Sequence, residues 1–432
     1  MLCYRRHGHN ESDEPAFTQP KMYKVIRQHP STLEIYAKRL VDEGELTNEQ
    51  VEETKAAWRE HLEAEFEAGQ SFLPNKADWL DGRWSAIKPG DELDDPRRGQ
   101  TGVDEDKLRE IGMKLTEVPE GFNVHRTIGR FLKQRREMME TGKGIDWATA
   151  EALAIESLLA EGRSVRLGGQ DTVRGAFTQR HLVLHDQTSG ARHALLGRAP
   201  RPPGRLEAFN TPLTEYAVLA YEYGHSLGDP ATLVIWEAQF GDFLNLAQAL
   251  VDQFLVCGED RWLLSSGLVL LLPHGLDGGG PDHSTAHPER LLNACAGANL
   301  QVANPSTPAQ YFHLLRRQQL RPFRKPLAVL APKVLLRHRQ AVSSLEDFAP
   351  GRGFACLLDD PLPAARRLVL CSGKVFYDLQ AARAERGLEQ AVALVRLEQL
   401  YPLDEAALST LFRRHAAADL VWCQEEPENM GP

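Results

Sequence analysis

The segment from Gly267 to Pro273, Gly-Leu-Val-Leu-Leu-Leu-Pro, carries no polar side chain. It is too short to cross a bilayer as a helix, which takes about 20 apolar residues. It also lacks the polar alternation of a strand with one wet face. The run reads as a β-strand buried on both faces, which belongs in a parallel sheet covered by helices on either side. Its surroundings point the same way. Short apolar runs at 165–167, 182–184, 232–236, 268–273, 301–303 and 327–331 alternate with helical stretches such as 212–223 and 307–319. That alternation predicts an α/β fold, with these runs as strands of one parallel sheet.

The flanks differ. From about Gln19 to Ala68 the apolar residues recur at helical spacing, with Gly44 as a stop and Thr47 opening a capping box closed by Gln50. Residues 70–106 are rich in Pro, Gly, Asp and Arg without an apolar period, so a surface excursion is expected there. Helices are expected at 124–141 and 146–161. A second break at 343–363 precedes apolar runs at 367–371, 391–396 and 419–424, which predict a second, smaller α/β unit.

Bulk properties narrow the classes. A chain of 432 residues, 42% hydrophobic and 25% charged, is expected to form two or three domains. A net charge of −10 argues against nucleic acid as a partner. Six cysteines with no Cys-x-x-Cys pair argue against a zinc ribbon or a secreted disulfide framework and suit reduced thiols in the cytoplasm. The N-terminal Met-Leu-Cys-Tyr-Arg-Arg-His has no apolar core for a signal peptide, and nothing suggests membrane attachment.

Five segments carry chemistry. Arg5, Arg6, His7 and His9 surround Gly8, where guanidinium and imidazole N–H groups could meet a phosphate; the same residues also read as a polar loop. The run from Arg166 to His181 places Gly168 and Gly169 at a strand end, followed by Gln170, Asp171, Arg174, Gln179, Arg180 and His181. Ligands of α/β sheets bind beyond such strand ends, although a solvated loop would have a similar composition. Glu215 stands in the first turn of an apolar helix, where the helix dipole alone would favour a carboxylate. The aromatics of Trp236 to Phe243 could stack on a planar heterocycle or fill core. The Gly-rich run from Pro273 to Ser284 is not a phosphate loop, since it lacks the Lys-Ser/Thr ending, but it carries His283, a possible acid, base or donor.

In order along the chain these segments read YRRHGHNESDEP, DWATAEALA, RLGGQDTVRGAFTQRH, WEAQFGDF, LLPHGLDGGGPDHS, YFHLLRRQ, FRKPL, CSGKVFYDL and WCQEEP. The set resembles the thiamine-diphosphate-dependent decarboxylating first component of the 2-oxoglutarate dehydrogenase complex, and its relative acting on 2-oxoadipate. The resemblance covers almost the whole chain and is weakest over 71–106. It implies three parts. Residues 1–145 correspond to the tail of the diphosphate-binding domain and a helical linker. Residues 146–342 correspond to a transketolase-like pyrimidine-binding domain, and 343–432 to the start of a transketolase C-terminal-like α/β domain.

By the same resemblance, Glu215 matches the family's catalytic glutamate, which hydrogen-bonds the aminopyrimidine ring of the cofactor. His181 and His283 match histidines around the substrate and the reacting centre. Phe240 would pack near the pyrimidine, and His9 resembles a loop histidine at the cofactor's diphosphate, with Arg5 and Arg6 beside it. The implied reaction is decarboxylation of 2-oxoglutarate and transfer of the succinyl group to a lipoyl-bearing succinyltransferase.

The chain also departs from the family. The Gly-Asp-Gly motif that binds magnesium and diphosphate is absent. The expectation is therefore a C-terminal half, inactive alone, which needs the missing N-terminal half or a homodimer partner to complete the thiamine diphosphate and magnesium site. Tyr216 stands where the family often has an acid, 285–288 replaces a segment that usually holds an arginine, and 188–207 is shortened. A non-catalytic remnant or binding module and a 2-oxoadipate-specific enzyme are the alternatives.

Overall fold

The computed structural model describes residues 5–73, 81–88, 99–197 and 204–432. Residues 74–80 and 89–98 of the excursion expected over 70–106 lie outside the described residues. The chain divides into two compact units, Met1–Asp78 and Trp79–Pro432.

The first unit holds α1 (Pro20–Gln28), α2 (Thr32–Asp42) and α3 (Asn48–Gly69). Capping boxes open α2, from Ser31 with Glu34, and α3, from Thr47 with Gln50, so two otherwise orphaned N–H groups are satisfied at each start. Gly44 has φ +76°, and the N–H groups of Glu45 and Leu46 return to the Leu40 carbonyl, which ends α2 where a glycine can turn left-handed.

The second unit begins with α4 (Glu105–Lys114), α5 (Arg126–Thr141) and α6 (Trp147–Ala160). Thirteen strands follow among the described residues. They are β1 (Ser164–Gly169), β2 (Val183–His185), β3 (Arg192–Ala194), β4 (Leu206–Asn210), β5 (Thr232–Glu237), β6 (Val269–His274), β7 (Gln301–Ala303), β8 (Leu327–Pro332), β9 (Leu357–Leu358), β10 (Arg367–Cys371), β11 (Val392–Leu397), β12 (Gln399–Tyr401) and β13 (Asp419–Cys423). The larger sheet has the order β12-β7-β8-β6-β5-β1-β4, all parallel except β12, which runs antiparallel to β7.

The apolar runs explain this sheet. Every residue of β6 is buried. Val165, Leu167, Leu233, Ile235, Val269, Leu271, Leu327 and Val329 face one core, with α6 and the helix Pro308–Leu320. Their neighbours Val234, Trp236, Leu268, Leu270, Leu272, Ala328 and Leu330 face the other, with the helix α7 (Glu215–Gly228). Successive side chains point to opposite faces, so a strand with a core on each side must be apolar throughout.

Two elements differ from expectation. The run 182–184 is not in the parallel sheet; β2 pairs antiparallel with β3 in a separate hairpin. Its alternating burial marks a strand with one wet face. Asp186 closes the hairpin turn by accepting the N–H groups of Thr188 and Ser189, and also that of Asn123. Those donors pull its carboxyl down to about 2. The edge strand β4 was not expected from 206–210, a short run interrupted by Glu207 and ending in Asn210.

The smaller sheet has the order β13-β10-β11-β9, with β10, β11 and β13 parallel and β9 antiparallel. The helices Val375–Glu385 and Glu405–Arg414 connect its parallel strands. Between them, β12 leaves this sheet to extend the larger one, so the two sheets share a stretch of chain.

Candidate functional site

Parallel strands present their carboxyl ends along one edge, and the loops leaving that edge form the binding crevice of open α/β sheets. Here those loops follow β1, β4, β5 and β6, and they carry His181, Glu215, Phe240 and His283 respectively.

Glu215 is the first residue of α7 and is only 6% exposed. Thr214 provides no side-chain cap, and the Glu215 carboxylate has no hydrogen bond or ion pair among the described residues. Helix capping therefore does not account for it: the carboxylate bonds none of the first-turn N–H groups it would serve. Val218 and Leu219, one turn on, share a core with Trp236 and Leu244, which fixes the start of α7 against the turn after Phe240.

Phe240 and His283 meet directly. Their rings lie 4.2 Å apart at 72°, and Phe243 is 5.9 Å from each. Gly241 is required at this bend, because a Cβ there would come within 2.7 Å of the Pro273 carbonyl oxygen. Phe177, from the loop after β1, packs edge-on against Phe240 at 5.6 Å. This aromatic group joins the three loops.

His181 follows Phe177 by four residues in the same loop. Its Nε2 is 3.1 Å from the Thr178 carbonyl, and its ring lies 6.0 Å from Phe131. Burial holds its pKa below the ordinary 6.5; the Thr178 carbonyl opposes that shift, while Arg135, Arg174 and Arg337 add to it. The imidazole is consequently neutral at neutral pH. A cleft of about 730 Å³ opens beside this loop, lined by Arg135, Lys143, Thr178, Gln179 and Arg337; Glu215, Phe240 and His283 do not line it. The structure thus brings Phe240 and His283 into contact, packs His181 against Phe131 instead, and leaves Glu215 without a bond to either histidine.

Sequence reasoning passed over what holds the loop after β1. Arg180 is 4% exposed and pairs with Glu151 at 2.5 Å and Glu237 at 2.7 Å, while donating to the Thr172 carbonyl at 2.8 Å. Burial alone would lower its pKa, but Glu151 and Glu237 more than reverse this, so the cation is permanent. Tyr311 donates to Glu151 and Thr172 to Glu237, completing the cluster. The loop needs such an anchor. Asp171, Thr178 and His181 have φ of 53°, 56° and 49°, a left-handed conformation that costs about 1–2 kcal/mol for an L-residue. Glu237 stands within the WEAQ motif, but its partners lie 57 residues or more away in sequence.

His9 belongs to the first unit. It is exposed, and its backbone N–H donates to Asp13 at 2.7 Å. Nearby, Arg6 donates to the His29 carbonyl at 2.6 Å, and Tyr23 donates to the Arg5 carbonyl. Among the described residues, no group of three or more His, Cys, Asp or Glu side chains is arranged to hold a metal ion.

Comparison with known proteins decides the ancestry. Residues 143–339 match the family described as the transketolase pyrimidine binding domain, 342–432 the 2-oxoglutarate dehydrogenase C-terminal family, and 1–76 the dehydrogenase E1 component family. The chain is 54% identical over 444 aligned residues to the 2-oxoglutarate dehydrogenase E1 components of Brucella anthropi and Brucella canis. The chain belongs to the 2-oxoglutarate dehydrogenase E1 family. All of it aligns, and it spans 44% of the length of these relatives. Within this family assignment, the pyrimidine-binding region supplies every strand of the larger sheet except β12, which comes from the C-terminal region. No helix among the described residues is long and apolar enough to cross a membrane.

Proposed function

We propose that this chain forms the pyrimidine-binding and C-terminal portion of a 2-oxoglutarate dehydrogenase E1 component. In this reading it acts in thiamine-diphosphate-dependent decarboxylation of 2-oxoglutarate and succinyl transfer to a lipoyl-bearing succinyltransferase. The observation that carries the reading is Glu215, a residue only 6% exposed whose carboxylate has no protein partner among the described residues, at the carboxyl edge of a sheet in a region that matches pyrimidine-binding domains. A carboxylate at that edge without a protein partner is open to bond a ligand in the crevice.

The residues present fit the pyrimidine half of thiamine diphosphate. Glu215 would hydrogen-bond the aminopyrimidine, and Phe240 would pack beside the ring. When bound, the cofactor supplies a thiazolium that takes up the electron pair released with carbon dioxide. Glu215 would hold the pyrimidine in the tautomer that can accept a proton. His283 would donate to the substrate's carboxylate or oxo oxygen, His181, whose Nε2–H is held by the Thr178 carbonyl, would stand beside the substrate with Nδ1 as an acceptor, and the aromatic group around Phe240 would exclude water. His9 would reach the diphosphate. Magnesium and the diphosphate would be held chiefly by the portion of the relatives outside this chain, supplied by the same polypeptide or a partner. We assign residues 1–145 to the diphosphate-binding side and linker, 146–342 to the pyrimidine-binding domain and 343–432 to the C-terminal domain. The unpaired thiols suit the cytoplasm.

The test is to assemble the chain with the remaining portion of a relative and follow carbon dioxide release from 2-oxoglutarate. Activity should require thiamine diphosphate. Glu215→Ala should lower turnover by about 10²–10⁴-fold, the range for a lost proton-transfer group. The thermal stability of the chain should barely change, since no protein bond is removed. Near-normal turnover in that variant would refute the assignment.

A further inference from the structure

The loop that carries His283 has little to hold it from within. Four of the residues from Gly275 to Gly280 are glycine, and its internal ties include the bond from Gly275 N–H to the Ser284 carbonyl at 2.9 Å and the bond from the Ser284 hydroxyl to the Gly280 carbonyl at 2.8 Å. Glycine loses more backbone freedom on ordering than any other residue, so a defined position for His283 needs ties from outside.

Those ties come in part from the C-terminal region. Buried His274, the last residue of β6, lies with Nε2 2.7 Å from the Glu426 carboxylate. Its Nδ1 accepts the Ala286 N–H at 3.1 Å, so the proton is on Nε2 and is donated to Glu426. One imidazole thereby joins both ends of the loop to Glu426. Next to it, Glu425 accepts the Leu276 N–H at 3.4 Å and pairs with Lys374 at 3.3 Å. A third tie comes from Lys333, which pairs with Asp277 at 2.8 Å and donates to the His283 carbonyl itself. Glu425 and Glu426 are about 150 residues from the loop, in the region matched as C-terminal, whereas the loop lies in the pyrimidine-binding region.

We propose that Glu426, through His274 and assisted by Glu425, is a positioning residue for His283, so that the C-terminal region sets where this histidine stands against Phe240. The claim rests on the functional reading above only in its activity arm; the mechanical arm stands apart from it. Removing Glu426 leaves a buried Nε2–H without its acceptor, so the imidazole that accepts the Ala286 N–H is no longer held in one orientation. Restoring a neutral acceptor should repair it.

The experiment uses Glu426→Ala and Glu426→Gln, with amide hydrogen exchange measured on the full chain and turnover measured after assembly with the rest of a relative. Glu426→Ala should speed exchange of the 275–284 amides about tenfold and lower turnover by a similar factor, with exchange in β1 and β5 unchanged; Glu426→Gln should bring both back close to the parent. Lys333→Met tests the same loop from its other end, should Glu426→Ala fail to fold. Faster exchange spread evenly over both sheets, or unchanged exchange in 275–284, would overturn the positioning role. If Glu215→Ala abolishes turnover while Glu426→Ala changes neither readout, the clamp fails and the functional reading stands. If Glu215→Ala has no effect, the functional reading fails and the exchange data alone judge the clamp.

Discussion

The loops after β1 and β6 each end in a histidine, yet they are held by opposite means. The first is strained and tied from inside its own domain: three left-handed residues are fastened by Arg180 to Glu151 and Glu237, all within the pyrimidine-binding region. The second is glycine-rich, and is tied both by Lys333 of its own region and by Glu425 and Glu426 of the C-terminal region. The difference separates two routes to a placed side chain. A loop with few backbone options can be locked by one buried ion cluster. A loop with many options needs several contacts, and those can come from a neighbour. His181 should therefore keep its place for as long as the pyrimidine-binding domain is folded, while His283 should respond to the C-terminal region.

Arg180 is where the contrast can be broken most directly. Arg180→Met would leave Glu151 and Glu237 buried without their cation, and breaking such a pair from one side costs about 3–5 kcal/mol. Denaturant unfolding of the chain should show a loss of that size. Arg180→Lys should recover only part of it, because an ammonium cannot fork between two carboxylates. A loss below about 1 kcal/mol, the scale of a surface pair, would mean that the first loop does not depend on the cluster.

Acid should attack the same side. His313, on the helix Pro308–Leu320 that also carries Tyr311, lies buried between Thr101 and the Asp347 carbonyl. Burial pushes it down to about 4 from 6.5, with Arg316 adding to the shift and the Asp347 carbonyl opposing it. The unfolded chain then binds the proton more readily than the folded one. Its contribution is fully present above pH 6.5 and is lost as pH falls toward 4, by about 3 kcal/mol. Chemical denaturation across that window should show the loss in the parent and a flatter profile in His313→Gln. Equal slopes would exclude His313 as the source.

Much of the larger sheet was legible because burial on two faces leaves a strand no choice of residue: β5, β6 and β8 are visible as apolar runs. The edge strand β4 was not, since Leu206–Asn210 needs a core on one side only and can afford Glu207 and Asn210. The run 182–184 misled because three residues cannot separate a sheet strand from a hairpin strand by periodicity. Glu215 could be read from sequence as a cap or as a functional acid. The fold removes side-chain capping, since the carboxylate bonds none of its helix's N–H groups, and the functional acid stays our proposal. The ties of Arg180 and Glu426 were illegible for another reason. Their partners lie 29, 57 and 152 residues away, and no local pattern encodes a contact made only by the assembled fold.

The smallest expected effect tests whether the first loop's anchor is a network or a single ion pair. The Tyr311 hydroxyl donates to Glu151 at 2.8 Å, and its ring stacks on Trp147 at 5.1 Å. Tyr311→Phe keeps the stack and removes one donor from a carboxylate that Arg180 still holds, so the loss should be about 1 kcal/mol. If the cluster acts cooperatively, the double variant with Arg180→Met should cost measurably more than the sum of the two single losses, because the hydroxyl is the donor left to a buried carboxylate once the cation is gone. Strict additivity in a double-mutant cycle would show the two contacts to be independent. The first loop would then be fastened by one ion pair rather than by a network, and its contrast with the multiply tied His283 loop would be sharper still.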